Sequence, residues 1–208
     1  MLSRLKLSGL CGCFFCLQGC IQVLPDSVVP KPQYALDFSF KKSKKDRLLK
    51  TIVVEEPQAL SILNSRKIAV EQYDGGSRTT FAQNQEWETR LPEMLEMGLI
   101  QALKKTGGIK GVARFNQGVI PDYIIVSDIN DFKIVYQKGR EKPSVVINWQ
   151  IKLLKFPERK IIATKEMRAD VIVPGTTFSA ILTVFNTQTS KILHDICVWV
   201  RHHIEKDK

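Results

Sequence analysis

The chain has 208 residues, of which 44% are hydrophobic and 25% charged, and its formal net charge is +10. That length suits one domain with a short leader, and that ordinary globular composition supports a real core. No apolar stretch approaches the ~20 residues of a transmembrane helix, which excludes a helical membrane protein.

The N-terminus begins with a basic segment, Met1 to Lys6, followed by an apolar run from Leu7 to Leu17 and then Gln18-Gly19-Cys20. This is the layout of a secretory signal peptide: positive start, apolar centre, small residue at the cut. Leu17-Gln18-Gly19-Cys20 resembles a bacterial lipobox, whose cysteine carries a thioether-linked diacylglycerol and then a third acyl chain. Leu10-Cys11-Gly12-Cys13 is a rival, but it leaves Leu7 to Gly12 as the apolar centre, shorter than the ~7–15 residues expected. Cleavage before Cys20 makes residues 1–19 a signal peptide and places the mature protein outside the cytoplasm, held by lipid. Two or more acyl chains hold firmly, at ~0.8 kcal/mol per buried methylene.

Cysteine usage agrees. Of five cysteines, Cys11, Cys13, Cys16 and Cys20 lie in or at the end of the leader, so Cys197 has no partner for an internal disulfide. Its neighbours Ile196, Val198 and Trp199 read it as a small buried apolar residue. The densest basic runs are Lys41-Lys42-Ser43-Lys44-Lys45 and Lys138-Gly139-Arg140-Glu141-Lys142. Nucleic acid is the usual first reading of such runs, but an exported lipoprotein rarely meets any, so anionic headgroups, an acidic partner or plain solvation fit better.

Residues 20–33, with three prolines and little periodicity, read as a tether, and the domain as 34–204. Tyr34 to Phe38 alternates like a first strand. Thr51 to Glu55 and Ile68 to Tyr73 are β-branched strands, and Asp74-Gly75-Gly76-Ser77 turns the second into a hairpin with Arg78 to Ala82. Leu91, Leu95, Leu99 and Leu103 mark an amphipathic helix, with Thr89 to cap it, Pro92 in its first turn and Gly107-Gly108 to end it. Tyr123 to Tyr136 is a strand whose alternation slips between Ser127 and Asp131, as a bulge would make it. Ser144 to Leu154 alternates without a break. Ile161, Ala163, Met167, Ala169, Val171 and Val173 form one face of its partner. Thr176 or Thr177 caps a last helix with Phe178, Ile181, Phe185, Ile192, Ile196 and Trp199 on one face, and Arg201 to Lys208 is a polar tail. The fold class is α/β: a mixed sheet with antiparallel parts, covered by two main helices in a single domain.

Together these landmarks resemble the ABC-type transport auxiliary lipoprotein family (PqiC-like proteins). The likeness lies in a lipobox cysteine, Tyr34-Ala-Leu36, Val54-Glu-Glu-Pro57, Leu63 to Ile68, Trp87, the leucine-rich helix from Leu91 to Leu103, and a closing helix near Trp199. It covers roughly residues 34–200. The resemblance implies an accessory lipoprotein of a lipid-transporting ABC system with an MCE-domain protein, a permease and an ATPase as partners. It implies a Gram-negative cell envelope, docking and localisation in place of chemistry, and no cofactor. Ile21 after the cysteine, rather than aspartate, permits sorting to the outer membrane. The alternative is a cell-envelope adaptor of an outer-membrane or flagellar assembly, and homo-oligomerisation stays open.

The residues themselves offer little catalysis. There is no Gly-x-Ser-x-Gly elbow. The three histidines, His194, His202 and His203, crowd the C-terminus, and adjacent His194 and Asp195 diverge on a helix. Gly107 to Gly111 follows a helix where a phosphate loop would precede one. Asp128 and Asp131 are too few for a calcium loop, and no Cys/His spacing suits a metal. Trp87, Trp149 and Trp199 read as core, with a lipid pocket between helices and sheet left open.

Overall fold

A computed structural model describes residues 30–40, 48–105 and 108–207 of the chain. Nine strands and two helices make up the unit from Lys31 onward. In chain order they are β1 (Gln33–Tyr34), β2 (Leu48–Val54), β3 (Gln58–Ala59), β4 (Lys67–Tyr73), β5 (Ser77–Trp87), α1 (Leu91–Lys105), β6 (Ile109–Arg114), β7 (Tyr123–Gln137), β8 (Ser144–Lys155), β9 (Lys160–Ile172) and α2 (Phe178–Lys206).

The sheet is organised around β7, which is 15 residues long. One edge of β7 pairs antiparallel with β8 from Tyr123 to Val135, and β8 carries β9. The other edge takes three parallel partners in series: β2 at Tyr123–Ile125, β3 at Asp128–Ile129 and β4 from Lys133 onward. Two wings therefore lie end to end along one strand. The first wing is β2 with β6 parallel beside it; the second is β4 with β5 and then β1.

Alternation places the core on one face. In β8, Val145, Ile147, Trp149, Ile151 and Leu153 are each no more than 1% exposed. Their β7 neighbours Ile125, Ile129, Phe132 and Ile134 join them, and the expected slip is present as a register shift between Ile129 and Asp131. Both helices cover this face: α1 packs on β2 and β6, α2 on β8 and β9, and the helices touch each other. Leu91, Leu95, Leu99 and Leu103 of α1 are buried, because residues four apart share one side of a helix. Thr177 caps α2, its hydroxyl oxygen accepting from the Ala180 N–H at 3.3 Å. Between helices and sheet, Phe132 stacks on Phe185 at 4.8 Å and Trp87 meets both rings edge-on, so the centre of that space is filled by side chains.

Several expectations are corrected. The strand expected at Tyr34 to Phe38 stops at Tyr34. Beyond it the backbone donors go to helix side chains: Leu36 N–H to Met94 Sδ (3.4 Å), Asp37 N–H to Asn186 Oδ1 (3.1 Å) and Ser39 N–H to Ser190 Oγ (3.3 Å). Thr89 does not cap α1; its hydroxyl donates to the Arg90 carbonyl, and the Leu91 N–H finds the Ser65 carbonyl instead. The expected hairpin partner extends past Ala82 to Trp87, across a register shift marked by Asn84 at φ 60°. Ile161 leaves the expected face, because β9 shifts register between Leu153 and Leu154; it lies opposite Leu154 and is 53% exposed. The polar tail is helical to Lys206, with Arg201 and Ile204 buried. β3 and β6 are strands where none is expected. Gly107, Lys41 to Lys45 and Cys20 lie outside the described residues.

Candidate functional site

Residues 31–34 are held against β5 by several contacts. Lys31 Nζ donates to Glu86 Oε1 at 3.2 Å, and the Pro32 carbonyl accepts from the Glu86 N–H at 3.2 Å. Gln33 and Tyr34 then pair with Glu86 and Trp87 in parallel register. The Tyr34 ring packs on Phe178 at 4.7 Å, at the start of α2. From there residues 35–40 run across both helices, with Leu36 buried among core residues. Asn186 and Ser190, four residues apart on α2, supply two of the acceptors. Their spacing puts them on one face, the only sign in the sequence of a chain crossing there.

The far end of α2 is locked differently. Asp207 accepts from Tyr123 Oη at 2.9 Å and from Lys155 Nζ at 3.1 Å. Lys155, then Tyr123, holds the Asp207 carboxyl below the usual range, while burial and then Asp207 push the Tyr123 phenol up to about 12. Next to it, Asp122 pins the start of β7 to β2. Its Oδ2 accepts from the Thr51 N–H at 2.7 Å, its Oδ1 from Lys50 Nζ at 3.0 Å, and its own N–H donates to the Thr51 carbonyl. Burial alone would raise the Asp122 carboxyl, but the Thr51 and Lys50 hydrogen bonds outweigh it and hold the value low.

Among the described residues the surface is grooved, and two of the grooves lie beside the helices. One, of about 620 Å³, lies where α2 begins over β4 and β5, with Val70, Ile134 and Ile181 at its floor and Gln72, Arg78 and Tyr136 at its rim. The other, of about 390 Å³, lies between the wings beside α1 and is lined by Glu55, Glu56, Glu96, Arg90 and Arg114. Three ion pairs engage charges of this groove: Arg90 with Glu56 at 2.9 Å, Arg114 with Glu96 at 3.5 Å and Glu55 with Arg159 at 3.0 Å. Burial nevertheless raises Glu96, which Arg114 only partly offsets. Among the described residues no three His, Cys, Asp or Glu side chains gather as a metal site.

The chemistry-bearing residues singled out in the sequence are scattered. Cys197 is buried, and burial pushes its thiol up to about 12. His203 lies against the Trp199 ring with Nδ1 2.9 Å from the Trp199 carbonyl, whereas His194 and His202 are exposed. Asp128 pairs with Lys152 and Asp131 with Lys133, so the two aspartates serve different lysines. Trp87, Trp149 and Trp199 are all core.

A mixed sheet with both helices on one face defines an α/β domain. The model of the ABC-type transport auxiliary lipoprotein component family matches residues 34–196, and the chain belongs to that family. The crystal structure of protein XCC0632 from Xanthomonas campestris superposes with a TM-score of 0.77 at 21% identity, over 85% of this chain and 98% of that one. A second solved structure, of an uncharacterized protein, gives a TM-score of 0.59 at 15% identity, over 77% of this chain and 99% of that one. At such identities the likeness is one of fold. No curated protein matches the chain.

Proposed function

We propose that this protein is a lipid-anchored, periplasm-facing accessory subunit of an MCE-type ABC transporter for lipids, and that it acts by docking and localising the transporter's periplasmic component. The family match over residues 34–196 carries this reading. In it, residues 1–19 are removed, Cys20 is acylated, residues 20–33 form the tether and residues 34–204 the docking domain, with the outer membrane as the host bilayer. The held junction at Lys31 to Tyr34 supports such a role, since an anchor is useful only if the domain cannot peel away from it. Localisation works by effective concentration: a partner held by one end meets its target at up to millimolar apparent concentration. No catalytic step and no cofactor belong to this reading.

The test is recovery of the full-length protein from native membranes, with mass spectrometry of bait and partners. A bait beginning at acylated Cys20, together with an MCE protein, its permease and its ATPase, is the expected result. A lipidated bait with only outer-membrane assembly or flagellar partners overturns the transporter assignment in favour of a cell-envelope adaptor. Cys20→Ser should leave the leader uncleaved and lose the acylated form.

A further inference from the structure

We propose that the groove of about 620 Å³ at the start of α2 binds an extended peptide of a partner protein. The peptide adds as a strand to the open edge of β5, with an acidic side chain against Arg78 and apolar ones on the groove floor. The chemistry of this occupant is read from the groove alone; its membership of the transporter's periplasmic component rests on the function proposed above.

β5 has an edge to offer. One side of it pairs antiparallel with β4, and the other takes β1 at Glu86 and Trp87. Among the described residues, Ser77 to Gln85 has no partner on that second side. Pro32, just before β1, has no N–H to carry the ladder further back. β1 itself shows that this edge accepts a strand in parallel register. Thr79 to Gln85 reads Thr-Thr-Phe-Ala-Gln-Asn-Gln, without a charge. The other outer strands are guarded. β9 carries Lys160, Lys165, Glu166, Arg168 and Asp170, and β6 carries Lys110 and Arg114, charges that discourage strand addition.

Shape and charge select the occupant. Thr80, Phe81, Ala82 and Gln83 all line the groove. Consecutive strand residues point to opposite faces, so the groove follows the edge of β5 rather than one face. Edge N–H and C=O groups are matched by another backbone, which an acyl chain cannot supply. Beside the edge, Val70, Ile134 and Ile181 are buried and form an apolar floor. An added strand presents every second side chain to such a floor. Arg78 is the one charged residue among those lining the groove. Its Nη2 donates to the neutral Gln72 Oε1 at 2.9 Å, and no carboxylate pairs with it among the described residues. The second groove differs, with Glu55, Glu56, Glu93 and Glu96 facing Arg90 and Arg114. An acidic side chain from the partner answers the charge at Arg78 and fixes the register of the added strand.

Site-specific photo-crosslinking in cells tests this, using the full lipidated chain with benzoyl-phenylalanine at position 83, or at position 161 as control. Ile161 is exposed and lies opposite Leu154, whose β7 partner Ile124 is about 33 Å along the strand from Ile134. Tandem mass spectrometry of the position-83 adduct should identify a segment of a second protein with an acidic residue near the crosslink and apolar residues at alternate positions. Position 161 should give no such adduct. Arg78 is exposed, so Arg78→Glu should leave the unfolding midpoint unchanged while reducing the adduct tenfold or more, and Arg78→Lys should retain it. Adducts only to lipid, to residues 20–29 of the same chain or to a second copy overturn the peptide groove and leave the transporter assignment intact. So do the absence of any adduct, a captured segment without an acidic residue, and an adduct indifferent to Arg78→Glu. A segment of the stated chemistry from a protein outside any ABC transporter upholds the groove and overturns the transporter assignment instead.

Discussion

Gly98, in the middle of α1, is where the strap of residues 35–40 presses closest on a helix. A Cβ added there would stand 2.7 Å from both Cε2 and Cζ of Phe38 and 3.2 Å from Leu193 Cδ1. In an exposed helix, Gly→Ala gains about 1 kcal/mol. Here the gain is opposed. The Phe38 ring must move aside, losing about half of the ~1.5–3 kcal/mol of a fully buried side chain, since it is only partly buried. Overpacking against Leu193 adds on the order of 1 kcal/mol. The net for Gly98→Ala is a destabilisation of about 1 kcal/mol, measured as the shift in a urea unfolding midpoint at unchanged slope. The double-mutant cycle decides the cause. In a Phe38→Ala background the ring is gone, so Gly98→Ala should become neutral or stabilising, and the two substitutions should couple by about 1 kcal/mol. If Gly98→Ala stabilises the wild type, or costs the same in both backgrounds, the close approach of Phe38 is not what requires glycine.

The Glu71, Lys133 and Asp131 side chains form a partly covered ionic group on the face away from the helices, with Lys133 Nζ 2.7 Å from Glu71 and 2.6 Å from Asp131. Lys133→Met should cost about 2 kcal/mol, the ~3–5 kcal/mol of a fully buried pair reduced by the exposure of Lys133. Burial alone would raise the Glu71 carboxyl, but hydrogen bonds from Lys133, Ser77 and Tyr73 hold it below its usual value. The sign follows: its contribution is present above the unfolded carboxylate range and is lost as pH falls through the lower folded value. Acid titration of unfolding should therefore show a steeper loss in the wild type than in Lys133→Met over that window; parallel curves would refute the role of the pair. Cys197, with its thiol pushed up to about 12, should resist alkylation at pH 8 in the folded protein and react once urea unfolds it. Labelling of the native protein at the rate of a free thiol would contradict its burial.

Much of the fold is legible because the central strands obey period two without competition. Val145 to Leu153 alternates cleanly, and the register shift of β7 at Ile129 and Asp131 marks the sequence as a break in that strand's alternation. Thr177 is legible because a capping hydroxyl sits just ahead of an apolar face. What is not legible depends on partners distant in sequence. Nothing near Leu36 or Ser39 says that their N–H groups will be taken by Met94 and Ser190. Ile161 has the spacing of its neighbours and loses its place through a shift opposite Leu153. Arg201 and Ile204 read as a polar tail because the Asp207 contacts that hold the last turn come from Tyr123 and Lys155. β6 is short and holds Lys110, Gly111 and Arg114, so it has no strand signature of its own and forms only because β2 offers an edge. The connection between β6 and β7 leaves one trace: Val119 and Ile120 stand before Pro121, too short a run to be read as an element.

The arrangement around β7 also imposes an order in time. Everything before Tyr123 leaves the ribosome, or a translocation channel, before the strand that joins the two wings exists. Until then β4 and β5 can close on themselves as a hairpin. β2 and β6 are joined only by a parallel pairing between residues far apart in sequence, and loop closure makes such pairing slow. α2, which covers the other half of the floor, arrives last of all. The chain thus stays open through more than half of its synthesis, a property suited to a polypeptide that is threaded through a pore before it folds.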